Sequence, residues 1–472
     1  MERLSERLID LQAGRRWIVA ADVAAAVTSL VSRLQETGVM GVMVVAGAEG
    51  VGELPDCQTV YVRPGAGGGL MDRMRSIEAA MTNPPAGVVE AVERFDPDRQ
   101  ASVIATSFWT ATTLFGRPVY GARRPEWAAL EDKTLVDGLW DAAGVPRVTS
   151  RVVPVAEAAD VADDVVGPLG TVWSADNSEG WHGGGTYTRW VPDRERARQA
   201  TDWFSRHARR VRVMPFLDGI PCSIHGFVTE RGVAVFRPVE LVILRRTDRR
   251  GFVYGGVATF WDPPGGYREE MRAVARRVAP ILVERVGYLG PFGIDGVATA
   301  DGFRPTELNP RMTAGLGVQA AGADLALGSV ARATVEGDLD PDPEELEELV
   351  VRGADGARVG GMGVPLDHEV DPGEVSLAFR GDGVEVVDGD DEAEATMDVG
   401  PAGAGGSYLR MRLDPERVAA GPSVAPKAVA ACRLAADLWG AKLPELEPAP
   451  DLGRSPHREH DPTGDHAVSD RP

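Results

Sequence analysis

The sequence predicts a chain of mixed α/β and α+β class, and two regions carry that prediction. Residues 1 to about 125 alternate short apolar runs with helical stretches, and this βαβ order implies a parallel sheet covered by helices. From Val211 to about Leu339, strands separated by short turns accompany one long helix, Tyr267–Val286, which indicates an antiparallel sheet. At 472 residues the chain has room for about three domains with a sizeable core.

The first region contains the predicted elements of the parallel sheet. Its strands are 16–21, 42–46, 60–62 and 101–105, and its helices are 22–37 and 71–81. The glycine-rich loop at 63–69 follows a strand and would suit a phosphate. It lacks the G-x-G-x-x-G spacing with a following acidic residue, so a plain turn is the favoured interpretation.

The next segment predicts a helix in which Val136, Leu139 and Trp140 share one face, with Gly144 and a proline ending it. Just before this helix lies a lysine, in a chain whose only lysines are Lys133, Lys427 and Lys442. A cation is disfavoured near a helix start because of the dipole, so this segment alone favours a surface lysine.

Residues 148–212 predict a small α/β unit built around a glycine-rich loop. The loop, 174–186, lies between strand candidates at 170–173 and 186–191, and it contains His182 and the run Gly183, Gly184, Gly185. Consecutive glycines let backbone N–H groups close around phosphate oxygens, although inert hairpin tips have similar composition. The histidine is expected to be exposed to solvent rather than catalytic.

The antiparallel region begins with predicted strands at 211–217, 222–229 and 233–242. A basic cluster follows, formed by Arg245, Arg246, Arg249 and Arg250. The cluster would suit an anionic substrate, and a solvated loop explains it equally well.

The segment 292–317 predicts a β-hairpin with a three-residue loop, 300–302, in which Gly302 is left-handed. Pairing outward from that loop places Thr299 opposite Phe303 and Asp295 opposite Glu307. Facing carboxylates about 4.5–5.5 Å apart at Cβ destabilise a sheet.

A divalent cation between Asp295 and Glu307 would explain their opposition, with the side-chain oxygen of Asn309 on the same face. Oxygen ligands of this kind suit Mg²⁺, which takes one or two carboxylates and completes its shell with water and phosphates. The planar, positively charged guanidinium group of Arg311 would lie beside such a phosphate. The alternative is an exposed hairpin with solvated acids, which the full D…E-x-N-x-R set disfavours.

Beyond Asp340 the composition shifts. The predicted elements are a helix at 341–351, a glycine-rich stretch at 359–364, strands at 375–379 and 384–387, an acidic run at 388–394 and a helix at 424–439. Residues 448–472 have the polar, proline-rich character of a disordered tail.

Charge and composition exclude several classes of function. The net charge of −21 disfavours nucleic acid or an anionic membrane as a partner. No apolar run approaches the ~18 residues of a spanning helix, and the first residues lack the order of a signal peptide. Cys57, Cys222 and Cys432 have no metal-ligand spacing, so a reduced cytoplasm is expected.

The order of these motifs resembles that of the ATP-grasp superfamily over about residues 1–335. The matching parts are Asp132-Lys133 with Gly144-Val-Pro146, the glycine loop before Thr186, the strand ending in Met214-Pro-Phe-Leu-Asp-Gly219, and Asp295 with Glu307-x-Asn309-x-Arg311. The resemblance implies five parts: an N-terminal Rossmann-like domain at 1–125, a small ATP-gripping subdomain at 126–212, a large one at 213–339, an accessory region at 340–446 and the disordered tail at 447–472.

The resemblance also implies roles for the motif residues at the nucleotide. Lys133 would contact the phosphates of ATP, and the loop would close over them. The residues that would meet the phosphates or the adenine are Gly183, Gly184, Gly185, Thr186, Met214, Phe216 and Leu217.

At the hairpin, the resemblance implies that Asp295, Glu307 and Asn309 hold Mg²⁺. Arg311 would stabilise the transferring phosphoryl group or an acyl phosphate. Lys133 and Arg311 are therefore the implied catalytic residues.

Two positions depart from the family pattern. A second ATP lysine is missing near Trp173-Ser174, where Arg189 or another arginine would have to replace it, and Met214 stands where a glutamate is common. These departures leave room for altered nucleotide use.

The resemblance implies an ATP-dependent ligase that joins a carboxylic acid, of amino-acid or peptide type, to an amine through an acyl phosphate. No Ser/His/Asp or Cys/His set competes with this interpretation. The alternatives are phosphoryl transfer without amide formation, a non-catalytic nucleotide-binding protein and, with less support, a biotin carboxylase role. Small molecules are the expected partners, and the family makes a homodimer plausible.

Overall fold

The computed structural model describes residues 2–62, 70–106, 108–183, 185–248, 251–381, 383–389, 392–403 and 406–450. The glycine-rich loop at 63–69, Gly184, Arg249 and Arg250 lie outside the described residues, as do Asp390, Asp391 and the predicted tail from 451 onward.

The first region is the expected parallel sheet. Its elements are α1 (Glu2–Gln12), β1 (Arg16–Val23), α2 (Thr28–Glu36), β2 (Gly41–Ala48), β3 (Gln58–Tyr61), α3 (Leu70–Thr82), α4 (Ala86–Phe95) and β4 (Ser102–Ala105). The strand order is β3-β2-β1-β4, and β1 pairs in parallel with both β2 and β4. The predicted helix at 22–37 begins later than expected, because β1 continues to Val23 and a 3₁₀ turn, Ala24–Val27, precedes α2.

The second region is a four-stranded antiparallel sheet with helices against it. It follows a short hairpin, and its elements are β5 (Thr113–Leu114), β6 (Arg117–Pro118), α5 (Pro125–Ala128), α6 (Val136–Ala142), β7 (Arg151–Pro154), α7 (Ala158–Val165), β8 (Thr171–Ala175), β9 (Thr188–Val191), α8 (Arg194–Phe204) and β10 (Arg210–Pro215). The sheet order is β7-β10-β8-β9. The predicted strand at 211–217 therefore belongs to this sheet and not to the larger one that follows.

The third region is the larger antiparallel sheet. Its elements are β11 (Ile220–Thr229), β12 (Gly232–Val235), β13 (Val239–Arg246), β14 (Gly251–Ala258), α9 (Tyr267–Val286), β15 (Gly290–Thr299), β16 (Gly302–Asn309), α10 (Ala314–Gly322) and α11 (Leu327–Glu336). The main order is β14-β13-β11-β15-β16. The strand predicted at 233–242 is interrupted, so it forms β12 and the start of β13.

The two faces of this sheet are covered differently. On one face, buried side chains of β11, β15 and β16 pack on those of α6 and α9, including Val136, Leu139 and Trp140 as predicted. On the other, a second core joins Phe227 and Phe236 to α10 and α11.

The last region is a five-stranded antiparallel sheet. Its elements are α12 (Pro343–Gly356), β17 (Gly361–Leu366), β18 (Gly373–Arg380), β19 (Gly383–Val387), β20 (Ala395–Gly403), β21 (Gly406–Leu413), α13 (Ala425–Trp439) and β22 (Leu446–Glu447). The strand order is β17-β21-β20-β18-β19, while β22 pairs with β13 of the third region.

Three expectations concern the whole chain. No described helix is long and apolar enough to cross a membrane. All three cysteines lie in the described residues and are free thiols. The division into domains, the homodimer and the cytoplasmic location stay predictions.

Candidate functional site

The hairpin of β15 and β16 places Asp295 directly opposite Glu307, as the sequence predicts. The route to that pairing differs from the expectation. The loop has two residues rather than three, so Thr299 pairs with Gly302 and not with Phe303. A bulge next to Asp295 makes Thr306 the extra residue, and its hydroxyl donates to the Asp295 carbonyl at 3.2 Å. The bulge restores the opposition that the shorter loop would otherwise remove.

Asp295 lies between two neighbouring strands, with Ser223 of β11 opposite it on one side and Glu307 on the other. Burial, and next the charge of Glu307, raise the pKa of Asp295 to about 6. Two facing carboxylates therefore share a half-buried site, which is unfavourable for the folded chain alone.

Asn309 lies beside Asp295, and its amide nitrogen rather than its oxygen is directed to that acid. Its Nδ2 donates to Oδ2 of Asp295 at 2.9 Å, while its Oδ1 accepts from Nη2 of Arg311 at the same distance. The amide thus connects the acid pair to the arginine.

Lys133 is not the surface residue that its own segment favours. Its side chain is 8% exposed, and Nζ donates to Oε1 of Glu307 at 2.8 Å. Asp132 fixes the local backbone, because its Oδ1 accepts from the Thr134 N–H at 2.8 Å and its Oδ2 from the Asn177 N–H at 3.1 Å. The lysine precedes α6 by three residues, so its side chain turns away from the helix end to the hairpin.

Arg311 is held by Glu131, an acid whose role the sequence did not reveal. Nε of Arg311 donates to Oε1 of Glu131 at 2.6 Å, and its guanidinium carbon lies 4.4 Å from the centre of the Phe108 ring. Burial would raise the pKa of Glu131, yet Arg311 and Arg123 together hold that pKa below its usual value. The buried carboxylate is therefore ionised and orients both arginines.

The glycine-rich loop approaches the same group of residues through Trp181. The indole Nε1 donates to Oε2 of Glu131, and the Trp181 carbonyl accepts from Nη2 of Arg75 at 2.7 Å. The Trp181 ring also packs on Phe108, with 4.7 Å between centroids. These contacts connect the loop to the first region of the chain, which glycine content alone does not predict.

Two of the four predicted loop residues line the main cavity, namely Gly183 and Gly185. Gly184 lies outside the described residues. Thr186 is exposed, and its N–H donates to the Gly183 carbonyl at 3.1 Å, so it closes the turn rather than facing the cavity.

His182 is buried, contrary to the expectation of a solvent-exposed side chain. Its Nε2 lies 3.1 Å from the Asp176 carbonyl, and its ring stacks on Tyr187 at 4.4 Å. Burial, with Lys133 as the next cause, lowers its pKa to about 4. The ring is neutral near pH 7.

His225, which the sequence analysis passed over, also borders the main cavity. The Gln319 amide nitrogen lies 3.2 Å from Nδ1, and Ser223 Oγ lies 3.2 Å from Nε2. Burial lowers the pKa of His225 to about 3, so the ring is neutral. With Gln319 donating to Nδ1, the proton sits on Nε2 and is donated to Ser223.

Met214, Phe216 and Leu217, which the resemblance would place at the adenine, line another end of the cavity. This end is apolar, since Val172 and Phe252 border it as well. Phe216 packs on Trp190 with 4.5 Å between ring centroids, which fixes one wall.

A buried serine, Ser174, lies at the position expected for the second ATP lysine. The arginine proposed as its replacement, Arg189, has other partners. Arg189 lies over the Trp203 ring at 3.8 Å and donates to the Thr186 carbonyl at 2.6 Å, and it is not among the cavity residues. Of the predicted basic cluster, Arg245 does line the cavity, where it pairs with Asp218 at 2.7 Å. Arg246 pairs with Asp248 instead.

Most of the site residues border one cavity of about 460 Å³, a volume typical of small-molecule sites, although Lys133, His182 and Glu131 are not among the residues that line it. Its polar end holds Asp295, Glu307, Asn309 and Arg311, the glycine loop borders it, and its apolar end holds the Met214–Leu217 segment. No described group of three or more His, Cys, Asp or Glu side chains is placed to hold a metal. Two carboxylates and an amide still match Mg²⁺, whose remaining ligands are usually water and phosphate.

The fold is similar to that of several solved structures. A biotin carboxylase from Campylobacter jejuni, in complex with β-γ-ATP, is 12% identical with a TM-score of 0.53, and 92% of each chain is covered. The biotin carboxylase domain dimer of the Hydrogenobacter thermophilus 2-oxoglutarate carboxylase, in complex with MgADP, ADP and bicarbonate, is 13% identical with a TM-score of 0.50, over 92% of this chain and 91% of that chain.

A third structure, the Rhizobium etli pyruvate carboxylase with acetyl coenzyme A, is 14% identical with a TM-score of 0.52 and covers 92% of this chain and 38% of that one. No family model matches the chain, and no curated protein matches it. At these identities the likeness concerns the fold alone.

Proposed function

We propose that this chain, whose fold is that of the ATP-grasp superfamily, is an ATP-dependent ligase. In this proposal it activates a carboxylic acid as an acyl phosphate and joins it to an amine. The observation that carries the proposal is the single cavity in which Asp295, Glu307 and Arg311 lie at one end and an apolar slot at the other, with the glycine loop at its border.

The apolar end suits the adenine ring. Phe216 and Phe252 pack on each other, with 6.0 Å between ring centroids and 19° between their planes, and with Met214 they form an apolar wall of the cavity. A flat aromatic base gains both burial and stacking there. The neighbouring backbone of Leu217 would supply the polar contacts that distinguish one base from another.

The polar end suits the triphosphate. Lys133 and Arg311 place two cations beside the opposed acids, and the backbone of Gly183 and Gly185 would supply N–H donors to phosphate oxygens. Asp295 and Glu307, with Asn309, would hold Mg²⁺, which when bound supplies positive charge to the phosphates. The repulsion between the two acids supports this assignment, because a divalent cation would remove it.

The reaction needs no nucleophilic side chain. A carboxylate oxygen attacks the γ-phosphorus of ATP, the bond to the β-γ bridging oxygen breaks, and ADP leaves with that electron pair. The amine nitrogen then attacks the acyl carbon, phosphate leaves, and the nitrogen loses a proton. The chain's contribution is positioning and charge compensation by Lys133 and Arg311, in a cavity that Trp181 borders.

An ADP-release assay tests the proposal. The full chain is incubated with ATP, Mg²⁺ and a panel of small carboxylic and amino acids, with and without amines, and products are identified by mass. We expect acid-dependent ADP release that increases with an amine. Hydroxylamine in place of the amine should give a hydroxamate, which reports the acyl phosphate.

The same assay separates the alternatives. A phosphorylated product without amide or hydroxamate would replace ligation by phosphoryl transfer. ATP binding without ADP release for every acid would make the chain a non-catalytic nucleotide-binding protein. Bicarbonate-dependent release alone would indicate carboxylation.

A further inference from the structure

A second, smaller cavity adjoins Arg311 on the side of the first region of the chain. Its volume is about 70 Å³, and it lies where the end of β4, the segment 119–123, the start of β15 and helix α11 meet. Arg311 borders both this cavity and the larger one. A ligand here would therefore lie next to the proposed phosphate end.

Arg123 borders this cavity and has hydrogen-bond donors without a partner among the described residues. Its side chain is 6% exposed, and its Nη2 donates to Oε1 of Glu131 at 2.8 Å. Its Nε and Nη1 are buried and have no hydrogen-bond partner among the described residues. A buried donor without an acceptor costs about 1–3 kcal/mol, and more when it is charged, so an acceptor is expected at this position.

Arg332 of α11 adds a second cation to the cavity. Its Nη1 donates to the Gly328 carbonyl at 2.9 Å and its Nη2 to the Ala105 carbonyl at 3.3 Å. In the described part of the chain no carboxylate forms an ion pair with it. Arg123, Arg311 and Arg332 thus place three guanidinium groups around the cavity, and no carboxylate is among the described residues that line it.

The remaining walls are mostly apolar, with Trp109, Trp127 and Val335 among them. At roughly 10–15 Å³ per water-sized group, a volume of about 70 Å³ holds about five non-hydrogen atoms. A carboxylate with a short aliphatic body has this size, one negative charge and the planar shape that guanidinium groups bind in pairs.

We propose that this cavity binds the carboxylate of a small aliphatic acid through Arg123 and Arg332, with the hydrocarbon part against the tryptophans. Arg311 then lies between the acid and the nucleotide phosphates. The inference that the bound acid is the one activated by ATP rests on the proposed ligase function. The inference that the cavity binds a carboxylate does not depend on that function.

Binding of acetate, propionate and inorganic phosphate to the full chain without nucleotide tests the site, by calorimetry or ligand-observed NMR. Propionate should bind the wild-type chain, and Arg332→Met should weaken it at least about 10-fold, the loss expected for one charged hydrogen bond. Arg332 is the better first variant because no carboxylate loses its partner. The matched control is Arg277→Met, an exposed helical arginine that also donates to a carbonyl, that of Gly144 at 3.0 Å; it should bind propionate like the wild type.

A second variant, Ala331→Leu, fills the cavity without changing charge and should also abolish propionate binding. ATP affinity, which depends on the other cavity, should persist in both variants and confirms that they are folded. Equal propionate affinity in the wild type and Arg332→Met would overturn the proposal. So would the absence of carboxylate binding, or preferential binding of inorganic phosphate. Arg332-dependent propionate binding without any ATP binding would leave this site standing and overturn the ligase.

Discussion

Nζ of Lys133 lies 2.8 Å from Oε1 of Glu307, although the two residues are 174 positions apart in the chain. The contact joins the segment before α6 to the β15–β16 hairpin, and it places a cation beside a pair of acids that repel each other. The lysine thus compensates part of the charge that Asp295 and Glu307 concentrate at the polar end of the cavity.

Glu307→Gln should reduce turnover by at least about 100-fold, since loss even of residues that support metal ligands costs about 10–100-fold. The fold should tolerate the change, because the side chain keeps its volume and the repulsion with Asp295 disappears. Steady-state ADP release and thermal unfolding measure the two effects. Glu284→Gln, on the exposed side of α9, is the matched control. Near-normal turnover in Glu307→Gln would remove the proposed metal role.

Lys133→Met should raise the KM for ATP about 10- to 100-fold, because a charged hydrogen bond contributes about 1.5–3 kcal/mol. The acceptor acid should bind as before. Initial rates at varied ATP concentration test this, with Lys442→Met, an exposed lysine, as the control. Unchanged ATP kinetics would leave Lys133 with only its structural ion pair.

Glu131→Gln should affect activity and stability together. The variant leaves Arg123 and Arg311 with an uncharged acceptor in a buried site, and breaking a buried ion pair typically costs about 3–5 kcal/mol. We expect a lower unfolding temperature and a fall in kcat of about 10–100-fold, because Arg311 loses its orientation. A double-mutant cycle with Arg311→Met measures the coupling. Additive effects would mean that Glu131 does not act through Arg311.

His182 should make the folded chain less stable in acid. Its pKa falls from 6.5 to about 4 in the folded chain, so between these values the unfolded chain binds a proton that the folded chain does not. The contribution of the neutral His182 to the free energy of unfolding, up to about 3 kcal/mol, is fully present above about pH 6.5 and is lost as the pH falls toward 4.

Proton NMR checks this prediction directly, since the histidine resonance that disappears in His182→Gln should titrate near pH 4. The variant should also show a weaker loss of stability in urea between pH 6.5 and 4.5 than the wild type. A resonance that titrates near 6.5 would show that the ring is accessible to solvent.

The hairpin illustrates what local sequence can predict. Pairing outward from the predicted loop places Asp295 opposite Glu307, and that pair is present in the structure. The loop length and the intermediate pairs were wrong, because a bulge at Thr306 compensates for a shorter turn, and bulges leave little local signal. The predicted pair of Asp295 and Glu307 is still correct because the loop is one residue shorter than predicted and the bulge adds one residue, so the two errors cancel.

Other features depend on contacts between distant segments, and these the sequence did not reveal. Glu131 looks like an ordinary acid at the end of a 3₁₀ turn until Arg123, Trp181 and Arg311 surround it. The local sequence alone favours exposed positions for Lys133 and His182 for the same reason, since burial is set by the parts that close over them. Strand β20 is hard to predict because an aspartate, two glycines and a proline interrupt its alternation, whereas the alternation of Leu409, Met411 and Leu413 in β21 is a signal that the sequence analysis overlooked.

Arg311 borders both cavities and is held by acceptors on each of its branches. Any ligand that fixes this guanidinium from one side changes the free energy of binding on the other. Thermodynamic linkage requires the effect to be reciprocal, so the factor by which an acid alters nucleotide affinity must equal the factor by which nucleotide alters acid affinity. A single shared side chain is thus enough to make the two occupancies cooperative or antagonistic, without any large movement of the fold.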